Sequence, residues 1–170
     1  MSKLISNVKI QARLENIAEQ INERFKGEDV TLLVTLTGGI FTAVDLSKYI
    51  KIPCKFEFVK VSSYGSNTES SGNVQLKYFS KEKSSNLGNV IIIDDIYDTG
   101  HTMNFLINYV KENYEYKTIS TMVLLEKPSR RVKELNIDYI GFTIDNLFVY
   151  GYGLDLNEYE RNLMDVMVNE

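Results

Sequence analysis

An α/β fold, with a parallel sheet and helices on both faces, is what this sequence predicts, on three observations. Strand-like and helix-like segments alternate along most of the chain, the pattern of βαβ units. Val90-Ile91-Ile92-Ile93 is an unbroken run of β-branched apolar residues, as expected of a strand buried on both faces. The 170 residues contain no repeat, linker or low-complexity segment, and this length suits one domain able to bury most of its apolar surface.

The elements follow in order. Ile10, Leu14, Ile17, Ala18, Ile21 and Phe25 recur at helical spacing, and Gly27 lies just past the end as a stop signal. Residues 30–36 read as a strand, broken by Thr37-Gly38-Gly39. A helix over 40–50 and an alternating strand over 55–61 come next. Residues 62–73 collect Ser, Gly, Asn and Thr, which is loop composition at a length where loops are usually functional or disordered. A strand over 90–93, a helix over 102–114 and a strand over 119–125 continue the alternation. Two short strands, 139–144 and 148–152, complete it.

The densest chemistry follows the central strand. Asp94 and Asp95 stand at its C-terminal end, and a loop with Asp98, Thr99, Gly100, His101 and Thr102 opens the next helix. In open α/β sheets, ligands bind beyond the carboxyl ends of the strands. A helix N-terminus offers free N–H groups and a favourable dipole to a phosphate, and Thr99 and Thr102 add hydroxyl donors. Two carboxylates cannot hold phosphate, but they can hold a diol or the hydration shell of Mg²⁺. Phosphate and diol together describe a ribose 5-phosphate. An ordinary buried strand followed by a capped helix is the plainer alternative, but it gives no reason for two consecutive carboxylates.

Composition narrows the function. The net charge is −4, from 19 basic and 23 acidic residues, and Arg130-Arg131 is the clearest basic run, so no nucleic-acid partner is expected. A single cysteine, Cys54, excludes an internal disulfide and fits a reducing compartment. No signal peptide and no apolar stretch of membrane-spanning length are present, so no membrane partner and a cytoplasmic location are the expectation.

Residues 90–102 resemble the 5-phosphoribosyl-1-pyrophosphate motif of the type I phosphoribosyltransferases. Further stretches resemble the hypoxanthine-guanine branch of that family: Leu36-Thr37-Gly38-Gly39, Ser62-Ser63-Tyr64-Gly65, Lys127-Pro128-Ser129-Arg130-Arg131, and Phe148-Val149-Tyr150-Gly151 running on to Asp155 and Arg161. The resemblance runs from about residue 4 to 163. It implies a single phosphoribosyltransferase domain over 1–170, with a core of about 28–145 and a hood from about 1–10 and 146–170 that clamps a purine.

The resemblance also distributes roles. Asp94, Asp95, Asp98, Thr99, Gly100, His101 and Thr102 would bind the ribose phosphate. Thr37, Gly38, Ser63, Tyr64 and Arg161 would bind pyrophosphate, with Ser63 and Tyr64 on a closing loop that excludes water. Ile96, Lys127, Phe148, Val149 and Asp155 would bind the base. Lys127 would donate to the exocyclic oxygen of a 6-oxopurine and so reject adenine; Phe148 would stack on the ring opposite Ile96. Asp94, Asp95 and Asp155 would hold Mg²⁺, and Asp98 would accept the N7 proton. The peptide before Thr37 is often cis in the family.

The single stretches also admit plainer readings: a Gly-Gly turn at 38–39, a solvated loop at 62–73, a core aromatic at Phe148, a surface ion pair between Asp155 and Arg161. Three positions depart from the family pattern: Thr37 replaces a common Lys, Asp94 a usual Glu, and His101 a Lys or Leu. His101 is expected to contribute through its backbone rather than by catalysis. The implied activity converts hypoxanthine or guanine, with 5-phosphoribosyl-1-pyrophosphate, to IMP or GMP in a homodimer or homotetramer. A nucleotide-sensing regulator on the same scaffold and a xanthine-preferring enzyme are the alternatives. Retention of Asp98 and the negative net charge speak against the regulator.

Overall fold

The computed structural model describes residues 1–63 and 73–169. Its main sheet has six strands: β2 (Val30–Thr35), β3 (Cys54–Ser63), β4 (Val74–Phe79), β5 (Asn89–Tyr97), β6 (Thr118–Glu126) and β7 (Tyr139–Thr143). They lie in the order β4-β3-β2-β5-β6-β7, and every neighbouring pair is parallel except β3 and β4. β2 and β5 occupy the middle. All of β2 is buried, as is β5 from Asn89 to Asp94.

The helices divide between the two faces. α1 (Asn7–Arg24) and α2 (Gly39–Tyr49) bury Leu14, Ile17, Ala43 and Leu46 against Leu32, Val34, Ile91 and Ile93. On the other face, α3 (His101–Asn113) buries Met103, Leu106 and Val110 against Leu33, Val90 and Ile92. Alternate residues of β2 and β5 thus serve opposite layers, as the two-residue period of a strand demands. Ser6 caps α1 by accepting the Lys9 N–H, and Gly27 takes the left-handed turn beyond its end (φ 80°).

From β2 the chain winds outward through α2 to β3. From β5 it winds the other way, through α3 to β6. The crevice between the C-terminal ends of β2 and β5 is therefore the switch point at which open α/β sheets bind ligands.

A second, antiparallel sheet joins the two ends of the chain: β1 (Ser2–Ile5), β9 (Val166–Val168) and β8 (Val149–Tyr150), in the order β1-β9-β8. Asp165 ties it down by accepting the Asn7 N–H at 2.7 Å and pairing with Lys3 at 2.9 Å. Those two donors hold its carboxyl below the usual range.

Five strands differ from expectation. β5 runs on to Tyr97, so Asp94 and Asp95 belong to the strand, paired along β6, rather than following it. The strand expected over 148–152 shortens to Val149–Tyr150, because Gly151, Tyr152 and Gly153 all take left-handed backbone angles (φ 88°, 50° and 94°) and turn the chain. β1, β4 and β9 are additional strands. β4 is an edge strand alternating Val74 and Leu76 with exposed Gln75 and Lys77.

Candidate functional site

Each wall of the crevice is set by its strand. At the end of β2, the Thr35 hydroxyl donates to Asp94 Oδ1 at 2.6 Å, bridging the two central strands. The Leu36–Thr37 peptide is cis, and Gly38 and Gly39 lead straight into α2. A Cβ on Gly38 would fall 1.8 Å from Asp95 Oδ2, and one on Gly39 would fall 2.8 Å from the Thr35 hydroxyl. The Asp95 carboxylate at Gly38 and the Thr35 hydroxyl at Gly39 leave no room for a side chain, a steric reason for glycine additional to any anion the backbone holds.

Asp94 Oδ1 also accepts the Asp95 N–H at 2.8 Å, which fixes that carboxylate. Asp95 is under different pressure. Burial, then the neighbouring Asp94 carboxylate and a hydrogen bond shared with it, push its carboxyl well above the usual range; the Arg161 charge opposes the shift.

The loop after β5 is braced from outside. The Thr99 carbonyl accepts N–H groups from Val132 and Lys133, both at 2.9 Å. The Tyr97 hydroxyl donates to the Lys133 carbonyl at 2.7 Å and accepts the Leu135 N–H at 3.0 Å, while the Arg131 guanidinium lies over its ring. Gly100 turns into α3 with φ 93°, and a Cβ there would meet the Lys133 carbonyl at 2.6 Å. α3 therefore starts at a fixed place, with Gly100, Thr102 and Met103 lining the crevice. Asp98 accepts from Arg130 Nε at 2.8 Å, with Nη2 at 3.5 Å from its second oxygen.

Two adjoining cavities result. One, of about 420 Å³, is lined by Thr37, Gly38, Asp94, Asp95, Thr99, Gly100, Thr102 and Arg161 among others. The other, of about 540 Å³, is lined by Lys127, Phe148 and Val149. Ile96, Asp98, Arg130 and Asp155 line both. Lys127 directly follows β6, and its N–H donates to the Tyr97 carbonyl at 2.9 Å. Burial lowers the affinity of its ammonium for its proton, and the Asp98 charge resists that. Phe148, just before β8, is 56% exposed, too much for a core aromatic, whereas Val149 is buried.

Arg161 donates to the Gly153 carbonyl at 2.6 Å and stands 3.5 Å from Asp155 Oδ1; Asp155 Oδ2 accepts the Glu158 N–H. Among the described residues no group of three or more His, Cys, Asp or Glu is arranged to hold a metal ion. The adjacent Asp94 and Asp95 still suit Mg²⁺, which binds through one or two carboxylates, keeps several waters and takes substrate phosphates, rather than demanding an all-protein cage. A cation beside Asp95 would also favour its ionised form.

Not every expected residue converges. His101 lines a separate depression with Val74, Asn108 and Glu112, although it opens α3. Ser63 ends β3 opposite Val74 and lines neither cavity, where Val61 does. Tyr64 lies outside the described residues. Sequence reasoning misses Arg130 and Thr35. Arg130 stands out only as part of a basic pair, and Thr35 is one of two threonines in an otherwise apolar strand, with no local pattern to single it out.

Residues 2–157 match the phosphoribosyl transferase domain family. A hypoxanthine-guanine phosphoribosyltransferase of Mycobacterium avium is 36% identical over 169 residues, which cover 95% of this chain and 82% of that protein. The crystal structure of a hypoxanthine-guanine phosphoribosyltransferase from Bacillus anthracis superposes with a TM-score of 0.91 at 34% identity, covering 100% of this chain and 99% of the other. A hypoxanthine phosphoribosyltransferase from Trypanosoma cruzi, solved with its product IMP, gives a TM-score of 0.86 at 30% identity, covering 99% and 93%.

Proposed function

The chain belongs to the phosphoribosyl transferase domain family, in its hypoxanthine-guanine branch, and from that premise we propose how its two cavities divide the reaction. The protein is a purine-salvage glycosyltransferase that moves the 5-phosphoribosyl group of 5-phosphoribosyl-1-pyrophosphate onto hypoxanthine or guanine, giving IMP or GMP and pyrophosphate. The observation that carries the division is the sharing of Asp98 between a cavity lined by carboxylates and a helix start and one lined by Lys127 and an exposed Phe148.

In the first cavity, the backbone from Thr99 to Thr102 cradles the 5′-phosphate at the start of α3. Asp94 and Asp95 take the ribose hydroxyls, and Thr37, Gly38 and Arg161 face the pyrophosphate. Mg²⁺, held by Asp94 and Asp95 with Asp155 contributing through water, would neutralise the leaving pyrophosphate when bound. In the second, Phe148 stacks on the base opposite Ile96, the Val149 backbone meets its Watson–Crick edge, and Lys127 donates to the exocyclic oxygen. The β1-β9-β8 sheet forms the hood over this cavity, above a core formed by the main sheet.

The base nitrogen N9 attacks C1 of the ribose as the C1–O bond to pyrophosphate breaks. The proton on N7 passes to the Asp98 carboxylate, leaving a neutral purine ring in the product. A free thiol at Cys54 and soluble substrates suit the cytoplasm, and a homodimer or homotetramer, readable by light scattering, is the expected assembly.

Turnover of hypoxanthine, guanine, xanthine and adenine, each with the diphosphate donor and Mg²⁺ and again with a chelator, tests the reading. We expect IMP and GMP to form, adenine to be refused and the chelator to stop the reaction. Equal use of adenine would overturn the assignment of Lys127.

A further inference from the structure

The Asp98–Arg130 pair is more than the two side chains need for folding. Both are about one-third exposed (35% and 37%), and an ion pair so accessible to water adds little stability. Yet both line both cavities. Arg130 ends the 3₁₀ turn Pro128–Arg130, which begins immediately after Lys127, and its N–H donates to the Lys127 carbonyl at 3.1 Å. The Lys127 N–H in turn donates to the Tyr97 carbonyl, one residue before Asp98, and the Thr99 carbonyl holds Val132 and Lys133. Backbone bonds on either side of Asp98 thus lock its loop to the turn that bears Lys127 and Arg130.

Resting on the phosphoribosyltransferase reading above, we propose that Arg130 is the positioning residue for Asp98. Its Nε pins Oδ1 at 2.8 Å, and Oδ2, with only a 3.5 Å contact to Nη2, is the oxygen left to take the N7 proton. A carboxylate on a short side chain could otherwise rotate either oxygen away from the base or toward the nearby Lys127 ammonium. The planar guanidinium fixes both its plane and its distance, which a single ammonium cannot do. Because Lys127 and Arg130 share one turn, docking of the purine oxygen on Lys127 also sets N7 in register with the oxygen that Arg130 leaves open. Recognition of the base and placement of its proton acceptor are in this way one rigid unit.

The test is a double-substitution cycle on the full chain, read as steady-state kinetics with hypoxanthine, 5-phosphoribosyl-1-pyrophosphate and Mg²⁺. Arg130→Gln is expected to lower kcat roughly 10- to 100-fold, the scale that a misplacement of about 1 Å costs. KM for the diphosphate donor should move by less than about threefold, since the loss falls on the chemical step rather than on binding. Arg130→Lys should recover part of kcat. In an Asp98→Asn background, Arg130→Gln should cost little more, because the group it positions no longer accepts a proton. Losses that multiply in the double variant, or a KM for the donor that rises while kcat holds, would overturn the proposal and make Arg130 a phosphate contact. Arg130→Lys keeps the test open should the glutamine variant melt early. If the unaltered protein fails to make IMP, the functional reading falls instead, an outcome separate from any result of the cycle.

Discussion

The two halves of the cleft are built in opposite ways. The half at β2 and β5 is made of strand ends in the middle of the sheet, and its working groups are backbone amides and carboxylates packed so closely that Gly38 has no room for a Cβ beside Asp95. The half at Lys127 and Phe148 is made by a strand end and a segment from the second sheet, and it presents side chains: a partly buried ammonium and an exposed aromatic ring. On the proposed division, the first half is indifferent to which base arrives. On the same proposal, the second distinguishes bases without altering the sugar-phosphate site. Asp98 stands where the halves meet, so it tests both.

The largest effect is expected there. Asp98→Asn is nearly isosteric and removes a proton acceptor, so turnover should fall roughly 10²-fold, within the usual range for general base catalysis. Product formation at saturating substrate measures it, and an unchanged kcat would move the proton acceptor elsewhere. Next comes a change confined to the base half. Lys127→Ala should lower specificity for 6-oxopurines roughly 10- to 100-fold, the loss of one charged hydrogen bond of about 1.5–3 kcal/mol. Donor binding, measured by calorimetry with Mg²⁺, should barely change; a comparable loss there would show that the halves are not separable.

The same contrast decides which parts of the molecule are legible in its sequence. Asp94 through Thr102 is contiguous, and the run Val90-Ile91-Ile92-Ile93 announces a central strand, so the sugar-phosphate half can be read from one stretch of residues. The Asp98–Arg130 pair joins residues 32 apart and exists only because β6 lies parallel beside β5, with Tyr97 opposite Glu126. No local pattern encodes that register. β1 and β9 escape for a similar reason: Ser2 pairs with Val168, and strands of 4 and 3 residues are too short for periodicity to speak. Asp94 and Asp95 read as following the strand because charge normally ends one. Here Thr35 and the Asp95 backbone satisfy Asp94 inside the sheet.

A smaller effect separates stability from function within the sugar-phosphate half. Asp95 keeps its proton to higher pH in the folded chain than in the unfolded one, through burial and the Asp94 charge. The stability this lends is complete below the ordinary carboxylate range and is lost as pH rises through Asp95's raised range. At neutral pH the carboxyl consequently weighs against the fold. Asp95→Asn should raise the melting temperature there by about 2–4 °C, equivalent to about 1 kcal/mol in a chain of this size, while weakening donor and Mg²⁺ binding. A lower melting temperature at neutral pH, with the advantage appearing only in acid, would reverse the sign of this argument.

The smallest effect is expected at His101, although it is the only histidine in the chain and sits inside the phosphate loop. A lone imidazole in such a place invites a catalytic role, and the contrast between backbone and side chain argues against one. What His101 offers the crevice is the first turn of α3, whose geometry depends on Gly100 and on the bracing of Thr99 by Val132 and Lys133. His101 itself lines a different depression, beside Asn108 and Glu112, and neither of the two cavities. Replacing its side chain leaves the N–H groups where they are. His101→Leu should change kcat and donor KM by no more than about twofold, the equivalent of the roughly 0.5 kcal/mol typical of substitutions away from structural features. Kinetics of His101→Leu beside Asp98→Asn decide the matter: a histidine variant more impaired than the aspartate variant would give the imidazole the proton and leave Asp98 as a mere partner of Arg130.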